Sequence, residues 1–267
     1  MHPARKKHIR YNRASAGLWR DFEGHRARVM DLLCREPTSG GALCVLGAGN
    51  CNDLDLSQLT ALFADIHLVD LDGDAMDAAV VRQGLNPGRF TLHGDVDLSG
   101  FMGLLDEQPT VDTWRKAIND LNLPELAGRF DVAISVCVLS QMGHTPAPFF
   151  EHDQAAGLEL RDCLRRRHIN LLGELLKPGG RAVLVADFMG SAGFPKLSLC
   201  DDADFAEVVE EGLTRERFYK QTTPALLHES IAGQPGVGNL EAEAPWRWVM
   251  WPTHFAVCGF SWRLVPE

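Results

Sequence analysis

The stretch Ala42-Leu43-Cys44-Val45-Leu46-Gly47-Ala48-Gly49-Asn50-Cys51-Asn52-Asp53 decides the fold of this chain. It begins as an apolar run suited to a buried strand, and that run breaks at the turn Gly47-Ala48-Gly49. A second apolar run, Ile66-His67-Leu68-Val69, ends at Asp70, about 20 positions after the glycines. In α/β folds, a strand followed by a glycine turn and by a later acidic residue holds the ribose of an adenine-containing ligand.

Strand-like and helical segments alternate around this stretch as far as Asp187. The predicted strands cover residues 42–46, 66–69, 90–93, 130–138 and 181–186. The predicted helices cover residues 15–34, 57–64, 74–83, 101–105, 111–121 and 155–176. Such alternation indicates parallel strands that are joined by right-handed crossovers, with helices on both faces of the sheet.

The pattern changes near the end of the chain. Two β-rich runs, at residues 246–250 and 254–264, are separated by a short break and should therefore pair antiparallel. The fold class that follows is α/β: a doubly wound, mostly parallel seven-stranded sheet whose last strand is antiparallel. Residues 1–36 are predicted to form a basic arm and a helix packed on a core of residues 37–267. Within that core, residues 188–244 are predicted to form a helical lid insertion.

Composition and charge narrow the classes of function. The formal net charge of the 267-residue chain is −10, which argues against a partner with many phosphates to neutralise. Basic residues crowd the N-terminus, so RNA stays an alternative partner, while a small molecule is favoured. No apolar run approaches the roughly 20 residues that span a bilayer, and no apolar segment follows the basic N-terminus. These features predict a cytoplasmic protein with no membrane partner.

The seven cysteines are scattered along the chain, and none forms a C-x-x-C pair. Several of them lie in apolar runs. They are interpreted as reduced and mostly buried thiols, and the sequence therefore predicts neither a disulfide framework nor a metal site.

Each predicted parallel strand ends in residues that suit a ligand. Asp70 ends the second strand, and an ionised carboxylate, which offers only acceptors, suits two ribose hydroxyls. Asp95 follows the third strand and suits the exocyclic amine of an adenine. Leu71 and Val96 are placed to enclose the purine. An open parallel sheet binds its ligands at these carboxyl ends, so the agreement among strands favours an adenine-containing cofactor.

On these residues the chain resembles the class I S-adenosylmethionine-dependent methyltransferases. The resemblance covers roughly residues 40–187 and the terminal hairpin, and the turn Lys177-Pro178-Gly179-Gly180 before the fifth strand is typical of the family. It implies S-adenosyl-L-methionine as cofactor and methyl transfer as activity. The implied cofactor-binding residues are Gly47, Ala48, Gly49, Asn52, Asp53, Asp70, Leu71, Asp95, Val96, Val136 and Cys137.

Two positions depart from the family pattern. Val45 stands where the family has an acidic residue, and Cys51 stands where it has a third glycine. The loss of the acid leaves the methionine ammonium to Asp53, to Ser135 or to the N-terminal helix. For Asn52 and Asp53, capping of the following segment is an equal alternative to ligand binding. The N-terminal helix is expected to close over the cofactor, with Tyr11, Trp19 or Arg26 reaching the site.

The methyl acceptor is predicted to be a small molecule, because the Asn-Pro-Pro-Tyr type of motif used on exocyclic base amines is absent after the fourth strand. The candidate catalytic residue is His144, which lies just after that strand, and Asp187, His228 and His254 are further candidate bases. Two other functions stay open. One is a nicotinamide-dependent oxidoreductase, which shares the glycine turn, and the other is a non-catalytic module that binds S-adenosylmethionine.

Overall fold

The structure is a computed structural model that describes residues 3–36, 40–105, 109–144 and 153–265. Its strands are β1 (Gly41–Leu46), β2 (Phe63–Val69), β3 (Thr91–His93), β4 (Phe130–Val136), β5 (Leu176–Gly190), β6 (Val237–Ala242), β7 (Trp246–Met250) and β8 (Thr253–Leu264). Its α-helices are α1 (Pro3–Ser15), α2 (Glu23–Cys34), α3 (Leu56–Leu62), α4 (Gly73–Arg82), α5 (Val111–Asp120), α6 (Val138–His144), α7 (Gln154–Glu174), α8 (Lys196–Leu199), α9 (Phe205–Thr214) and α10 (Pro224–Ala232).

The strands form one eight-stranded sheet in the order β3-β2-β1-β4-β5-β8-β6, with β7 paired to β8. The pairs from β3 to β5 are parallel, and β8 runs antiparallel to β5, β6 and β7. The predicted fold class is therefore confirmed, including the antiparallel strand within a mostly parallel sheet. The predicted number of seven strands is one short, because β6 lies in a segment for which no strand was predicted.

The alternation of side chains along β1 shows why these apolar runs form a central strand. Cys44 and Leu46 belong to one buried cluster, and Leu43 and Val45 belong to the other. Successive side chains of a strand point to opposite faces, so the two clusters lie on the two faces of the sheet. Val45, at the position where the resemblance leads one to expect an acidic residue, is 1% exposed and is a core residue.

The predicted helix over residues 15–34 is corrected by the structure. α1 ends at Ser15 and α2 begins at Glu23, with turns between them. The break has a tertiary cause, since the side-chain amides of Asn50 and Asn52 donate to the carbonyls of Asn12 (2.6 Å) and Ser15 (2.8 Å). These bonds satisfy carbonyl groups at the C-terminal end of α1 and stop it there.

The fourth strand ends earlier than its apolar run predicts. Val136 is its last residue, Cys137 has a φ of 52°, and Val138 already begins α6. A left-handed residue at this point reverses the chain sharply and brings α6 against the glycine turn after β1. Apolar periodicity alone does not reveal such a turn.

Residues 188–244 do not form a separate core. Phe188, Phe194, Phe205 and Leu227 belong to the same buried cluster as one face of the sheet. The segment also includes β6, whose sequence Val-Gly-Asn-Leu-Glu-Ala is poor in residues that favour strands. It forms this strand because it pairs with β8.

Candidate functional site

A cavity of about 1350 Å³ opens at the carboxyl ends of β1, β4 and β5. Its walls come from α1, the glycine turn, the start of α6, α7, and the β7–β8 hairpin, together with two residues of the predicted lid, Tyr219 and Lys220. Typical pockets for one small ligand measure about 300–1,000 Å³, so this cavity can hold more than one ligand.

The structure divides the predicted cofactor residues into two groups. Those that line the cavity are Gly47, Ala48, Gly49, Asn52, Asp53, Val136 and Cys137. Those that do not are Asp70, Leu71, Asp95 and Val96. The predicted catalytic His144 is the last residue of α6, and its side chain lies outside the described part of the chain.

The glycine turn has the geometry that excludes other residues. Gly47 has a φ of 71°, and a Cβ added there would lie 2.0 Å from Cγ2 of Val138. Gly49 has a φ of 47°, and its added Cβ would lie 3.3 Å from Oδ1 of Asn12. Cys51 has a φ of 48°, which is why a glycine suits this position, and its thiol is buried. The turn therefore presents bare backbone to the cavity.

Asp70 fixes the glycine turn to the end of β2. Its Oδ2 accepts from the Gly49 N–H at 2.9 Å, and its Oδ1 accepts from the Asp72 N–H at 2.8 Å. Burial raises the pKa of Asp70 to about 6, although these backbone bonds favour the ionised form. In this structure the carboxylate thus serves the turn rather than the cavity.

α1 lies across the remaining predicted adenine residues. Arg5 forms an ion pair with Asp95 and donates to the Leu71 carbonyl at 3.4 Å. Asn12 donates to Asp72 at 3.2 Å, and none of the described side chains of α1 is buried. α1 is accordingly a cover held by polar contacts at this end of the sheet.

The residues predicted to reach the site from the N-terminal segment behave differently. Tyr11 lines the cavity. Trp19 and Arg26 lie outside it, with the Arg26 guanidinium 3.6 Å from the centre of the Trp19 ring. Arg26 also donates to the Asn52 carbonyl at 2.9 Å, so these two residues fasten the chain between α1 and α2.

Asp187 lies near the carboxyl end of β5 and lines the cavity, as Asp53 does. A register shift between Asp187 and Met189 bulges the strand here, and such bulges re-aim a side chain. The Ser140 hydroxyl donates to the Asp187 carboxylate at 2.6 Å. Burial raises the pKa of Asp187 to about 6, and the Ser140 hydrogen bond opposes that rise. A carboxylate with this pKa is poised to accept a proton near neutral pH.

Cys137 and Ser135 are both buried, but neither offers reactive chemistry to the cavity. Burial raises the pKa of the Cys137 thiol well above its usual value, so it stays a neutral thiol. Ser135 pairs instead with His168 of α7, with 2.8 Å between Oγ and Nε2. Ser135 does not line the cavity, which removes it as a candidate for the methionine ammonium.

Sequence patterns missed the mouth of the cavity. Three large side chains line it and remain exposed there: Tyr11 (53%), Leu158 (42%) and Trp251 (78%). Lys7, Arg161 and Lys220 add positive charge to the same walls. Of the tryptophans in the final hairpin, Trp246, Trp248 and Trp262 are buried, whereas Trp251 is exposed at the cavity. These exposed side chains come from segments that are distant in sequence, and only the fold brings them together. Local sequence patterns therefore do not predict that they share one cavity.

Asp53 lines the cavity without capping a helix. The N-cap of α3 is Asp55, whose side chain accepts from the Gln58 N–H. Asn52 does not cap α3 either, because its side chain contacts Ser15 and Arg82. The capping alternative for both residues is therefore wrong.

No group of three or more metal-binding side chains occurs in the described ranges. Among the helices of those ranges, none combines the length and the apolar character needed to cross a bilayer.

Comparison with known proteins gives matches in structure and none in sequence. No protein-family profile and no curated protein matches the chain. Among solved structures, the 1,6-didemethyltoxoflavin-N1-methyltransferase of Burkholderia thailandensis, bound to 1,6-didemethyltoxoflavin and S-adenosylhomocysteine, is 15% identical with a TM-score of 0.52. That match covers 98% of this chain and 87% of the other. The Haloferax volcanii protein in complex with the Trm112 methyltransferase activator is 11% identical, with a TM-score of 0.52 over 95% of this chain and 96% of the other. The YcgJ protein of Bacillus subtilis is 9% identical, with a TM-score of 0.51 over 92% and 99%.

Proposed function

We propose that this chain, which has the fold of the class I S-adenosylmethionine-dependent methyltransferases, transfers a methyl group from S-adenosylmethionine to a small-molecule acceptor. One observation carries the proposal. The bare backbone of Gly47–Gly49 and the carboxylate of Asp187 line the same cavity at the carboxyl ends of parallel strands. A ligand-binding turn and a candidate proton acceptor are thereby within reach of one another.

The residues present fit the amino-acid end of S-adenosylmethionine. Gly47, Ala48 and Gly49 expose backbone to the cavity, and Asp53, Val136 and Cys137 adjoin them there. The other predicted residues, Asp70, Leu71, Asp95 and Val96, would hold the ribose and the adenine. Because Arg5 occupies Asp95 in this structure, binding of adenosine requires that α1 give up this ion pair.

The bound cofactor would supply a methyl group on a positively charged sulfur. This methyl group would be electrophilic, and the sulfur would leave as a neutral thioether that keeps the electron pair of the C–S bond. The proton that the acceptor loses goes to the carboxylate of Asp187, which is ionised above a pKa of about 6. The Ser140 hydroxyl orients this carboxylate through its hydrogen bond. The cavity walls hold the acceptor in line and limit its contact with water.

The character of the cavity mouth supports a small acceptor with an apolar part. Tyr11, Leu158 and Trp251 offer exposed apolar surface around the entrance, where a planar or aliphatic group would pack. The charges at the walls suit an acceptor that also carries a negative group. RNA is not favoured, because the chain carries a formal net charge of −10.

Calorimetric titration with S-adenosylhomocysteine tests the cofactor, with NADH as the competing candidate. We expect S-adenosylhomocysteine to bind and NADH not to bind. Methyl-labelled S-adenosylmethionine is then incubated with the protein and a panel of small apolar amines, phenols and thiols. Asp187→Asn should keep the binding of S-adenosylhomocysteine and lose label transfer. If the protein does not bind S-adenosylhomocysteine at millimolar concentration, or binds NADH instead, the proposal is wrong.

A further inference from the structure

Beneath the cavity, a buried histidine supports Asp53. His25 of α2 has a side chain that is 0% exposed, and its Nε2 lies 3.2 Å from Oδ1 of Asp53. The His25 ring stacks on Trp248 with 4.7 Å between the ring centres, and Phe22 meets that tryptophan edge-on at 5.2 Å. This aromatic packing holds the imidazole in one orientation.

Trp246 determines which nitrogen of His25 carries the proton. The indole N–H of Trp246 donates to Nδ1 of His25 at 3.1 Å. An indole nitrogen can only donate, so Nδ1 must accept and the neutral imidazole carries its hydrogen on Nε2. The N–H of His25 is therefore on the side of the ring where Asp53 lies, 3.2 Å from its Oδ1.

The pair is nevertheless incomplete. Nε2 of His25 and Oδ1 of Asp53 are both buried, and neither forms a hydrogen bond of good geometry with any described group. Leaving buried polar atoms without partners costs free energy. The carboxylate of Asp53 also lines the cavity, next to the glycine turn. The part of this carboxylate that is exposed, 23% of the side chain, suits a positively charged donor from a ligand in the cavity.

We propose that Asp53, positioned by the Trp246–His25 pair, binds the α-ammonium group of the cofactor's amino-acid part. This inference rests on the proposed function. It explains how the chain works without an acid at position 45, where Val45 is buried in the sheet core. Asp53 is the binding residue, and His25 is a positioning residue that acts through it.

Two ligands separate this role from a general effect on the fold. S-adenosylhomocysteine carries the α-ammonium group, whereas 5′-methylthioadenosine shares the adenosine and the sulfur but lacks the amino-acid part. Asp53→Asn should weaken the binding of S-adenosylhomocysteine about tenfold or more, since a charge-assisted hydrogen bond is lost. The affinity for 5′-methylthioadenosine should change less than about twofold, because that ligand makes no contact with Asp53.

Matched variants complete the test. Asp55→Asn removes a charge two positions away, keeps a good N-cap for α3, and should leave both affinities unchanged. His25→Phe should weaken only the binding of S-adenosylhomocysteine, and His25→Gln, whose amide can again donate towards Asp53, should restore part of it. If Asp53→Asn and His25→Phe alter both ligands equally, or neither, the inference is wrong. If the unaltered protein binds neither ligand, the proposed function itself is wrong, and the inference that rests on it is wrong as well.

Discussion

Arg5 of α1 is ion-paired with Asp95, the carboxylate that the sequence assigns to the exocyclic amine of an adenine. The pair joins two segments 90 positions apart and crosses the carboxyl end of the sheet. The Asp95 side chain is 81% exposed and that of Arg5 is 28% exposed, so the contact lies at the surface of the cover. A cofactor that uses Asp95 must compete with this guanidinium.

Arg5→Gln should therefore raise the affinity for S-adenosylhomocysteine. Exposed ion pairs are worth about 0–1 kcal/mol, so the expected gain in affinity is about twofold to fivefold. Calorimetric titration at low and at high salt measures it, and the gain should shrink as salt screens the pair. Arg10→Gln, at an exposed position of the same helix, makes the same change of charge and should leave the affinity unchanged. Weaker binding by Arg5→Gln would mean that Arg5 holds the ligand rather than excludes it.

The pattern of apolar residues is sufficient to predict the central strands of the sheet, but it does not predict how the chain connects them. β1, β2 and β4 are predicted because their side chains are buried on both faces. The start of α6 cannot be predicted in this way, because the apolar run in the sequence continues through Val138 while the chain already turns at Cys137. A left-handed conformation at a residue other than glycine leaves no trace in hydrophobic periodicity.

Part of the candidate site can likewise be predicted from the sequence, and part of it cannot. The glycine turn and Asp187 follow from strand ends, because the carboxyl ends of parallel strands meet at one edge of the sheet. The position of Arg5 on Asp95 and the support of Asp53 by His25 depend on how α1 and α2 pack. These are contacts between distant segments, which local sequence does not encode. Trp251 is a further case, since its exposure at the cavity follows from the shape of the β7–β8 turn.

Gly47 and Gly49 should respond differently to the same substitution. Gly47→Ala places a Cβ 2.0 Å from Cγ2 of Val138 at a φ of 71°, whereas the added Cβ of Gly49→Ala lies 3.3 Å from a movable Asn12 side chain. The left-handed conformation costs about 1–2 kcal/mol at either position, and overpacking adds about 1–3 kcal/mol at Gly47 alone. Denaturant unfolding should show a loss of stability of about 2–5 kcal/mol for Gly47→Ala and about 1–2 kcal/mol for Gly49→Ala.

A second substitution tests the cause of that difference. In a Val138→Ala background, Cγ2, the atom 2.0 Å from the added Cβ, is absent, and the Cβ of residue 138 at 3.1 Å remains. Gly47→Ala should then lower the free energy of unfolding only by the cost of the left-handed backbone conformation, about 1–2 kcal/mol. Equal costs in the two backgrounds would show that contact with Val138 is not what excludes a side chain at this turn.

Asp187→Asn should stabilise the protein at neutral pH while it removes the proposed base. Burial raises the pKa of Asp187 from 3.8 to about 6, so the folded protein retains a proton that the unfolded chain releases between these values. The free energy of unfolding therefore falls as pH rises through this window, by roughly 3 kcal/mol for this group. Asparagine does not ionise and can still accept from Ser140. Its advantage in unfolding free energy should be absent near pH 4 and full above pH about 6.

Thermal unfolding from pH 4 to pH 8 measures this advantage. Asp204→Asn, at an exposed position before α9, is the control and should follow the unaltered protein across the range. An Asp187→Asn protein that is less stable at pH 8 would show that a group in the cavity stabilises the ionised carboxylate.

His168 should give the opposite pH dependence. Burial lowers the pKa of this histidine from 6.5 to about 4, so between these values the unfolded chain binds a proton that the folded protein does not. The free energy of unfolding contributed by this group is fully present above pH 6.5 and is lost as pH falls towards 4, by roughly 3 kcal/mol. Urea unfolding at a series of pH values gives the free energy of unfolding as a function of pH, and its fall at acid pH is here called the acid limb. His168→Gln, which can still pair with Ser135, should make this acid limb less steep. His228→Gln, at an exposed position of α10, should leave that limb unchanged.

Because Asp187 and His168 change the free energy of unfolding in opposite directions over overlapping pH ranges, only the difference between each variant and its control isolates one group. An acid limb that is equally steep with and without His168 would mean that other buried groups set the acid stability of this fold.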